Sequence, residues 1–276
     1  MDLMSAKYAV FGQPIAHSKS PQIHEAFAAQ RSQALKYERI APNEDEFESA
    51  VEAFFAEGGQ GANVTLPFKE RAYAMCKVRT ERAEQAQAVN TLWMENGQLH
   101  GDNTDGAGLL ADMIRNLNWK LINKRILVVG AGGAVRGILG CLLTAGAQEV
   151  VITNRTFERA EELAQQFNIR AVALDALAEE TPFNIIINGT SASLAGESLA
   201  LPPGILADSA YCYDMMYGEE PTPFMQWAQA QGAEVSDGLG MLVQQAAESF
   251  YRWHGWRPAT VALLKAMRDA SIETLS

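Results

Sequence analysis

Apolar and polar positions along this 276-residue chain change period in a regular order, from the short runs of strands to the longer rhythm of helices. "KYAVFG" (7–12) is a short apolar run closed by glycine and predicts a strand. "SPQIHEAFAAQRSQ" (20–33) predicts a helix, with Ser20 as its N-cap and Pro21 at the first helical position. "KYERIA" (36–41) predicts a second strand, "EDEFESAVEAFFAEG" (44–58) a second helix and "GANVTL" (61–66) a third strand. From residue 125 the same succession resumes. "RILVVG" (125–130) is almost wholly apolar, as expected of a strand buried on both faces. A helix follows at 133–146, ended by Gly146, then a strand at 149–154, a helix at 157–167 and a strand at 183–189. "LGMLVQQAAESFYRWHG" (239–255) predicts a long last helix. Strands alternating with helices imply an α/β fold with mostly parallel sheets, here as two α/β units.

Within "GANVTLPFKE" (61–70), read in steps of two, Asn63, Thr65 and Lys69 share one side of an extended chain. Val64, Leu66 and Phe68 share the other and are expected to enter a core. Pro67 removes a backbone donor and marks a strand end or an edge. The polar side offers an amide, a hydroxyl and an ammonium, all of them donors.

Composition narrows what those donors meet. The length suggests two domains at ~150 residues each. Net charge is −11, so a broad surface for nucleic acid or an anionic membrane is not expected. A small anion in a local cationic pocket remains compatible. Cys76, Cys141 and Cys212 are few and far apart, which implies neither a metal site nor a disulfide framework. The N-terminal stretch has no charged leader followed by a long apolar run, and no run is long enough to span a membrane. A reducing cytoplasm fits these features. The histidines show no ligand spacing, and the tryptophans read as packing residues.

"VVGAGGAVRG" (128–137) follows a buried strand and opens a helix. Gly130 permits a tight turn, and Gly132 lets the backbone approach a pyrophosphate at the positive end of the helix. The third glycine position of the dinucleotide pattern falls on Val135, so the pattern is incomplete, and a bare structural turn is the plainer alternative. NAD binders place a carboxylate at the end of the next strand for the ribose 2′-hydroxyl. Here that strand ends "ITNRTFER", with Asn154 in the acidic position and Arg155 and Arg159 flanking Thr156. Two guanidiniums suit a 2′-phosphate, and cations at a helix start oppose its dipole unless an anion joins them. This favours NADP over NAD; ordinary surface arginines are the alternative.

A nicotinamide enzyme also needs an acid/base group near the reacting carbon. Further polar clusters stand outside the cofactor segment: Ser18 and Ser20 in "IAHSKSP", Asn90 in "AVNTL", and Asp102, Asn103, Thr104 and Asp105 in "GDNTDG". Each alone has a bland reading, as a cap, a turn or a linker. Together, "FGQPIAHSKSPQIH", "GANVTLPFKE", "AVNTL", "GDNTDG", "GAGGAVRG", "NRTFERA", "YDMMY" and "DGLGMLVQQAA" closely resemble, in order and across nearly the whole chain, the shikimate dehydrogenase family.

The resemblance implies reversible NADPH-dependent reduction of 3-dehydroshikimate to shikimate, a step of aromatic amino acid biosynthesis. It implies a substrate domain over 1–105 plus 239–276 and a Rossmann-type, doubly wound NADP domain over 106–238. Carried over by motif, Lys69 and Asp105 are the catalytic pair, and either can hold the proton at a given step. Ser18, Ser20, Asn63, Thr65, Asn90, Tyr217 and a glutamine contact the substrate. Gln244 and Gln245 point about 100° apart on a helix, and the motif favours Gln245. Gly130, Ala131, Gly132, Gly133, Ala134, Asn154, Arg155, Thr156, Arg159, Met215 and Gly238 fall where the family holds NADP, and no metal is expected. A homodimer is allowed. Three other readings stay open: a broader quinate/shikimate dehydrogenase using NAD or NADP, a folate-linked dehydrogenase of similar layout, and a non-catalytic dinucleotide-binding regulator. In the last, Lys69 and Asp105 would form a structural salt bridge.

Overall fold

The computed structural model describes residues 6–192 and 199–273; residues 1–5 of the stretch read for a leader lie outside it. Packing divides the chain into two units. The first comprises the chain up to Gly108 together with Val243–Met267, the second Leu109–Leu242 together with the segment from Arg268 onward.

The first unit runs β1 (Ala6–Phe11), α1 (Ser20–Ala29), β2 (Leu35–Ile40), a 3-10 turn at Glu44–Glu46, α2 (Phe47–Ala56) and β3 (Gly59–Val64). It continues with α3 (Lys69–Met75), β4 (Val78–Arg79), α4 (Glu81–Ala86), β5 (Thr91–Glu95), β6 (Gln98–Asp102) and the start of α5 (Asp105–Ala111). The sheet order is β2-β1-β3-β5-β6-β4. β1 pairs in parallel with β2 and β3, and β4 with β6, while β5 runs antiparallel to β3 and β6. The β5–β6 hairpin, absent from the sequence reading, turns on Asn96 and Gly97, both with positive φ. That Asn-Gly pair is the usual residue choice for a two-residue hairpin turn.

Three local expectations are corrected. The N-cap of α1 is Lys19; Ser20 is already helical, and its N–H donates to Ser18 Oγ at 3.3 Å. The helix stops at Ala29, before the left-handed Ser32, rather than reaching residue 33. The alternation in "GANVTLPFKE" ends with β3 at Val64. Phe68 N–H turns back to the Thr65 carbonyl at 3.0 Å, so Leu66 is 63% exposed instead of entering the core. Phe68 is buried, stacked on Phe47 with ring centroids 4.5 Å apart, and Lys69 begins α3. Phe11, Phe47, Phe54 and Phe68 dominate this core, each burial contributing roughly 1.5–3 kcal/mol.

The second unit continues α5 into a single π-type turn at Asp112–Asn116, then forms β7 (Arg125–Val129), α6 (Gly133–Thr144), β8 (Glu149–Thr153), α7 (Phe157–Phe167) and β9 (Arg170–Ala171). After a 3-10 turn come β10 (Phe183–Asn188), β11 (Leu206–Asp214), α8 (Pro223–Ala230), β12 (Glu234–Ser236) and the start of α9 (Leu239–His254). The last helix is α10 (Val261–Glu273). All pairings are parallel in the order β12-β11-β10-β7-β8-β9. Ile126 and Val128 of β7 enter one core, Leu127 and Val129 the other, as an apolar strand covered on both faces requires. Strand order reverses between β7 and β10. In a doubly wound sheet that is where the crevice outside the carboxyl ends takes a ligand.

Candidate active site

In the first unit, three backbone segments converge on one buried group of polar side chains. Lys69 stands at the start of α3, Asp105 at the start of α5, and Asn90 in the connection that enters β5. The Asn90 segment is pinned from both sides: Asn90 N–H donates to the Asp102 carbonyl at 3.0 Å, and its carbonyl accepts from Val64 N–H at 2.9 Å. Lys69 Nζ lies 2.6 Å from Asp105 Oδ2, with the two side chains 14% and 8% exposed. Asn90 Nδ2 donates to the other carboxylate oxygen, Oδ1, at 2.7 Å. Each oxygen of Asp105 therefore has its own donor, and the ion pair is oriented rather than floating.

The "GDNTDG" run is no linker. Asn103 Oδ1 accepts from Asp105 N–H, and Thr104 N–H donates to Asn90 Oδ1 at 2.9 Å, which fixes which way that amide faces. Asp102 departs from the group. It is fully buried and bound by Arg82 through both oxygens at 2.7 and 2.6 Å, with Thr80 at 2.6 Å. Burial alone pushes its carboxyl up, but the bonds and charge of Arg82 outweigh that and hold it below its ordinary value. Gln245 Oε1 lies 3.4 Å from both Asn90 Nδ2 and Thr104 Oγ1, whereas Gln244 donates to Thr260. Gly108 makes room: a Cβ there would stand 2.7 Å from Cβ of Gln245.

Asn63 is buried beside this group. Its Nδ2 donates to the Asn90 carbonyl at 3.0 Å and to Ser249 Oγ at 2.9 Å, and its Oδ1 accepts from the Tyr37 hydroxyl at 2.7 Å. Thr65 is half-buried in the turn after β3, its methyl fitted over Gly12, where a Cβ would come within 2.4 Å of it. Ser20 is buried. Ser18 is half-buried, and its carbonyl takes two bonds from Arg39. Tyr37, Thr91 and Ser249 join the cluster although the sequence reading did not single them out. Ser249 follows Gln245 by four residues, the helical spacing that puts both on one face of α9.

In the second unit, the segments that follow β7, β8, β11 and β12 carry the other predicted residues. Gly130 follows β7 with φ +115°, a conformation suited to glycine, and its N–H donates to the Thr153 carbonyl at 2.8 Å. Ala131 and Gly132 lead into α6, which begins Gly133-Ala134 with no side-chain cap and no acidic residue in its first turn. A Cβ at Gly132 or Gly133 would meet nothing within 4 Å, so these positions leave an open cradle in front of the helix start. Asn154 follows β8 directly and donates to the Thr156 carbonyl at 2.8 Å. Arg155 and Arg159 are exposed, and no carboxylate among the described residues pairs with them. An open glycine cradle at a bare helix N-terminus, followed by two uncommitted guanidiniums, fits a dinucleotide with a 2′-phosphate.

Met215 follows β11, its N–H bonded to the Asn188 carbonyl at 2.9 Å. Gly238 has a packing reason of its own, since a Cβ there would lie 2.2 Å from the Met215 carbonyl oxygen. Asn188, Gly189 and Thr190, at the end of β10 beside the switch point, were not singled out in the sequence. Asn188 Oδ1 ties back both N–H and hydroxyl of Thr190, and a Cβ at Gly189 would meet Val135 at 2.3 Å. "NIIING" at the end of a buried strand was the available signal. Tyr217 belongs to this unit; burial, then the charge of Asp237, pushes its phenol above its ordinary value. The described residues contain no cluster suited to a metal ion and no helix long and apolar enough to cross a membrane.

A doubly wound cofactor unit and a buried lysine–carboxylate pair define a nicotinamide-dependent oxidoreductase. Residues 10–92 match the shikimate dehydrogenase substrate binding domain, 110–195 the shikimate / quinate 5-dehydrogenase family and 238–270 the shikimate 5'-dehydrogenase C-terminal domain. The chain is 53% identical to shikimate dehydrogenase (NADP(+)) of Alcanivorax borkumensis, covering 95% of this chain and 96% of the relative. Among solved structures, an Ael1 enzyme from Pseudomonas putida superposes with TM-score 0.91 at 45% identity, over 95% of this chain and 98% of that one. Shikimate 5-dehydrogenase of Thermus thermophilus, in complex with NADP(H) and shikimate, gives TM-score 0.87 at 32% identity over 96% and 99%. The chain belongs to the shikimate dehydrogenase family. It is an NADP-dependent oxidoreductase of the shikimate pathway, and neither the broader quinate enzyme nor a non-catalytic regulator is favoured.

Proposed function

We propose that Lys69 and Asp105 carry the proton transfer of the reversible reduction of 3-dehydroshikimate to shikimate. The observation that carries this is the 2.6 Å Lys69–Asp105 pair, with Asn90 holding the second carboxylate oxygen. In the reductive direction the Lys69 ammonium, oriented by its 2.6 Å contact with Asp105, donates a proton to the carbonyl oxygen as negative charge develops there. When bound, NADPH supplies the hydride to the carbonyl carbon. The neutral amine is then reprotonated, and the oxidative direction reverses these proton movements. A positioned general acid/base of this kind contributes roughly 10²–10⁴-fold.

The first unit is the substrate domain in this reading and the second the NADP domain. Ser18, Ser20, Thr65, Asn90, Tyr217 and Gln245 bind the hydroxyls and carboxylate of the substrate. Asn63 joins them by accepting a substrate hydroxyl at Oδ1 beside the Tyr37 hydroxyl, with its Nδ2 bonds kept. Gly130 to Ala134 receive the pyrophosphate, while Asn154, Arg155, Thr156 and Arg159 hold the 2′-phosphate end and Met215 and Gly238 the nicotinamide end. The enzyme acts in the cytoplasm on a small molecule, with no nucleic-acid or membrane partner; a homodimer is the assembly to test by light scattering.

Initial rates of nicotinamide absorbance with shikimate or quinate, each against NADP and NAD, test the assignment. Fast turnover confined to shikimate with NADP is expected. Comparable rates with quinate or NAD would move the chain to a broader specificity.

A further inference from the structure

Thr91 and Ser249 are fully buried polar residues of the first unit with no part in the proton transfer described above. Thr91 Oγ1 lies 2.8 Å from Asn90 Oδ1. Asn90 Oδ1 is the carbonyl end of that amide, because Thr104 N–H, which can only donate, points at it. A carbonyl oxygen has no proton to give, so the Thr91 hydroxyl spends its single proton on Asn90. The 2.7 Å contact between Thr91 and Ser249 must then be donated by Ser249, in preference to the Gln245 carbonyl at 3.2 Å. With its proton committed, Ser249 Oγ accepts from Asn63 Nδ2 at 2.9 Å. Asn63 cannot be flipped either, since its Nδ2 also faces the Asn90 carbonyl and its Oδ1 accepts from Tyr37.

The donors therefore all run one way: Tyr37 to Asn63, Asn63 to Ser249, Ser249 to Thr91, Thr91 to Asn90, and Asn90 Nδ2 to Asp105 Oδ1. Hydrogen bonds aligned head to tail in a buried setting polarise one another, and a missing link leaves a buried polar atom unpaired. We infer that Thr91 and Ser249 are positioning residues for the reaction, holding Asn90 so that its amide nitrogen stays aimed at Asp105 and Asp105 stays aimed at Lys69. The inference rests on Lys69 and Asp105 being the reacting pair.

Thr91→Val keeps the shape and removes the hydroxyl, while Thr91→Ser keeps the hydroxyl. kcat is expected to fall about 10-fold in Thr91→Val with KM for shikimate changing less than about 3-fold, and Thr91→Ser is expected to recover most of the loss. Ser249→Ala is expected to move kcat in the same direction and covers the case in which Thr91→Val does not fold. Wild-type kcat in a folded Thr91→Val or Ser249→Ala protein with only a lowered Tm would overturn the inference, as would equal loss in Thr91→Val and Thr91→Ser. Asp105→Asn, assayed in parallel, separates the two levels. If it stays active, the reacting pair itself is wrong; if it is inactive while Thr91→Val behaves as wild type, only the positioning chain fails.

Discussion

The two units solve their binding problems in opposite ways. In the first, nearly every polar atom of the candidate site already has a partner inside the protein, and the groups are buried. In the second, the candidate cradle is backbone with empty space in front of it, and the two arginines beside it stay in water. The difference fits what each site is proposed to do. A proton donor must hold a defined orientation at the moment charge develops, and a preorganised, poorly hydrated network supplies that without rearrangement. A cradle for a soluble, highly charged ligand gains most if its donors are uncommitted beforehand, since any internal bond would have to be broken on binding.

The sharpest way to break this contrast is at Lys69. Lys69→Ala is expected to lower kcat at least ~10²-fold with a modest change in KM, read by steady-state kinetics. Near-normal kcat would return the Lys69–Asp105 pair to a purely structural role. The preorganised unit also contains a group with no hydrogen bond of its own. His24 is fully buried and stacked on Tyr37 at 4.6 Å, with neither ring nitrogen partnered. Burial first, then the charge of His254, lowers it from 6.5 to about 3, against a smaller opposing effect of Asn63. Because the folded value lies below the unfolded one, the unfolded chain takes up the proton first. The stability held by a neutral His24 is therefore complete above about pH 6.5 and is lost as the pH falls toward 3. At about pH 5 the loss is about 2 kcal/mol. Tm of the first unit should fall between about pH 7 and pH 5, and His24→Phe should flatten that slope; an unchanged slope would mean another group controls it.

These regions also differed in how far they could be read from the chain. The candidate cofactor turn is local: a buried strand, two glycines, a helix and the following "NRTFER" lie close together, so backbone rules and charge suffice. The candidate catalytic group is not local. Lys69 and Asp105 are 36 residues apart and Asn90 and Gln245 155 apart, and each segment alone has a bland explanation. Only family likeness joined them. Thr91 and Ser249 escaped notice because a hydroxyl's role depends on neighbours brought by the fold. Leu66 was misread because alternation holds only while the strand lasts, and β3 stops at Val64. The β5–β6 hairpin was missed although its Asn96-Gly97 turn stood in plain view.

Smaller effects belong to the open cradle. Arg155→Ala is expected to raise KM for NADP about 10-fold and leave KM for NAD nearly unchanged, as loss of a charge-assisted phosphate contact predicts. Equal weakening would mean that Arg155 does not meet the 2′-phosphate. The finest distinction lies between two glycines two residues apart. At Gly130 an added Cβ meets Gly189 at 3.1 Å, and φ is +115°, so Gly130→Ala strains the apo fold and lowers Tm before any ligand is present. At Gly132 φ is −91° and a Cβ meets nothing, so Gly132→Ala should leave apo Tm unchanged within about 1 °C and weaken NADP several-fold by occupying the cradle. Calorimetric binding alongside thermal melts reads both. If Gly132→Ala binds NADP as the wild type does, the pyrophosphate does not approach the backbone there. If it instead melts early, Gly132 is fixed by packing within the protein, and the contrast between a prewired and an open site fails at the second unit.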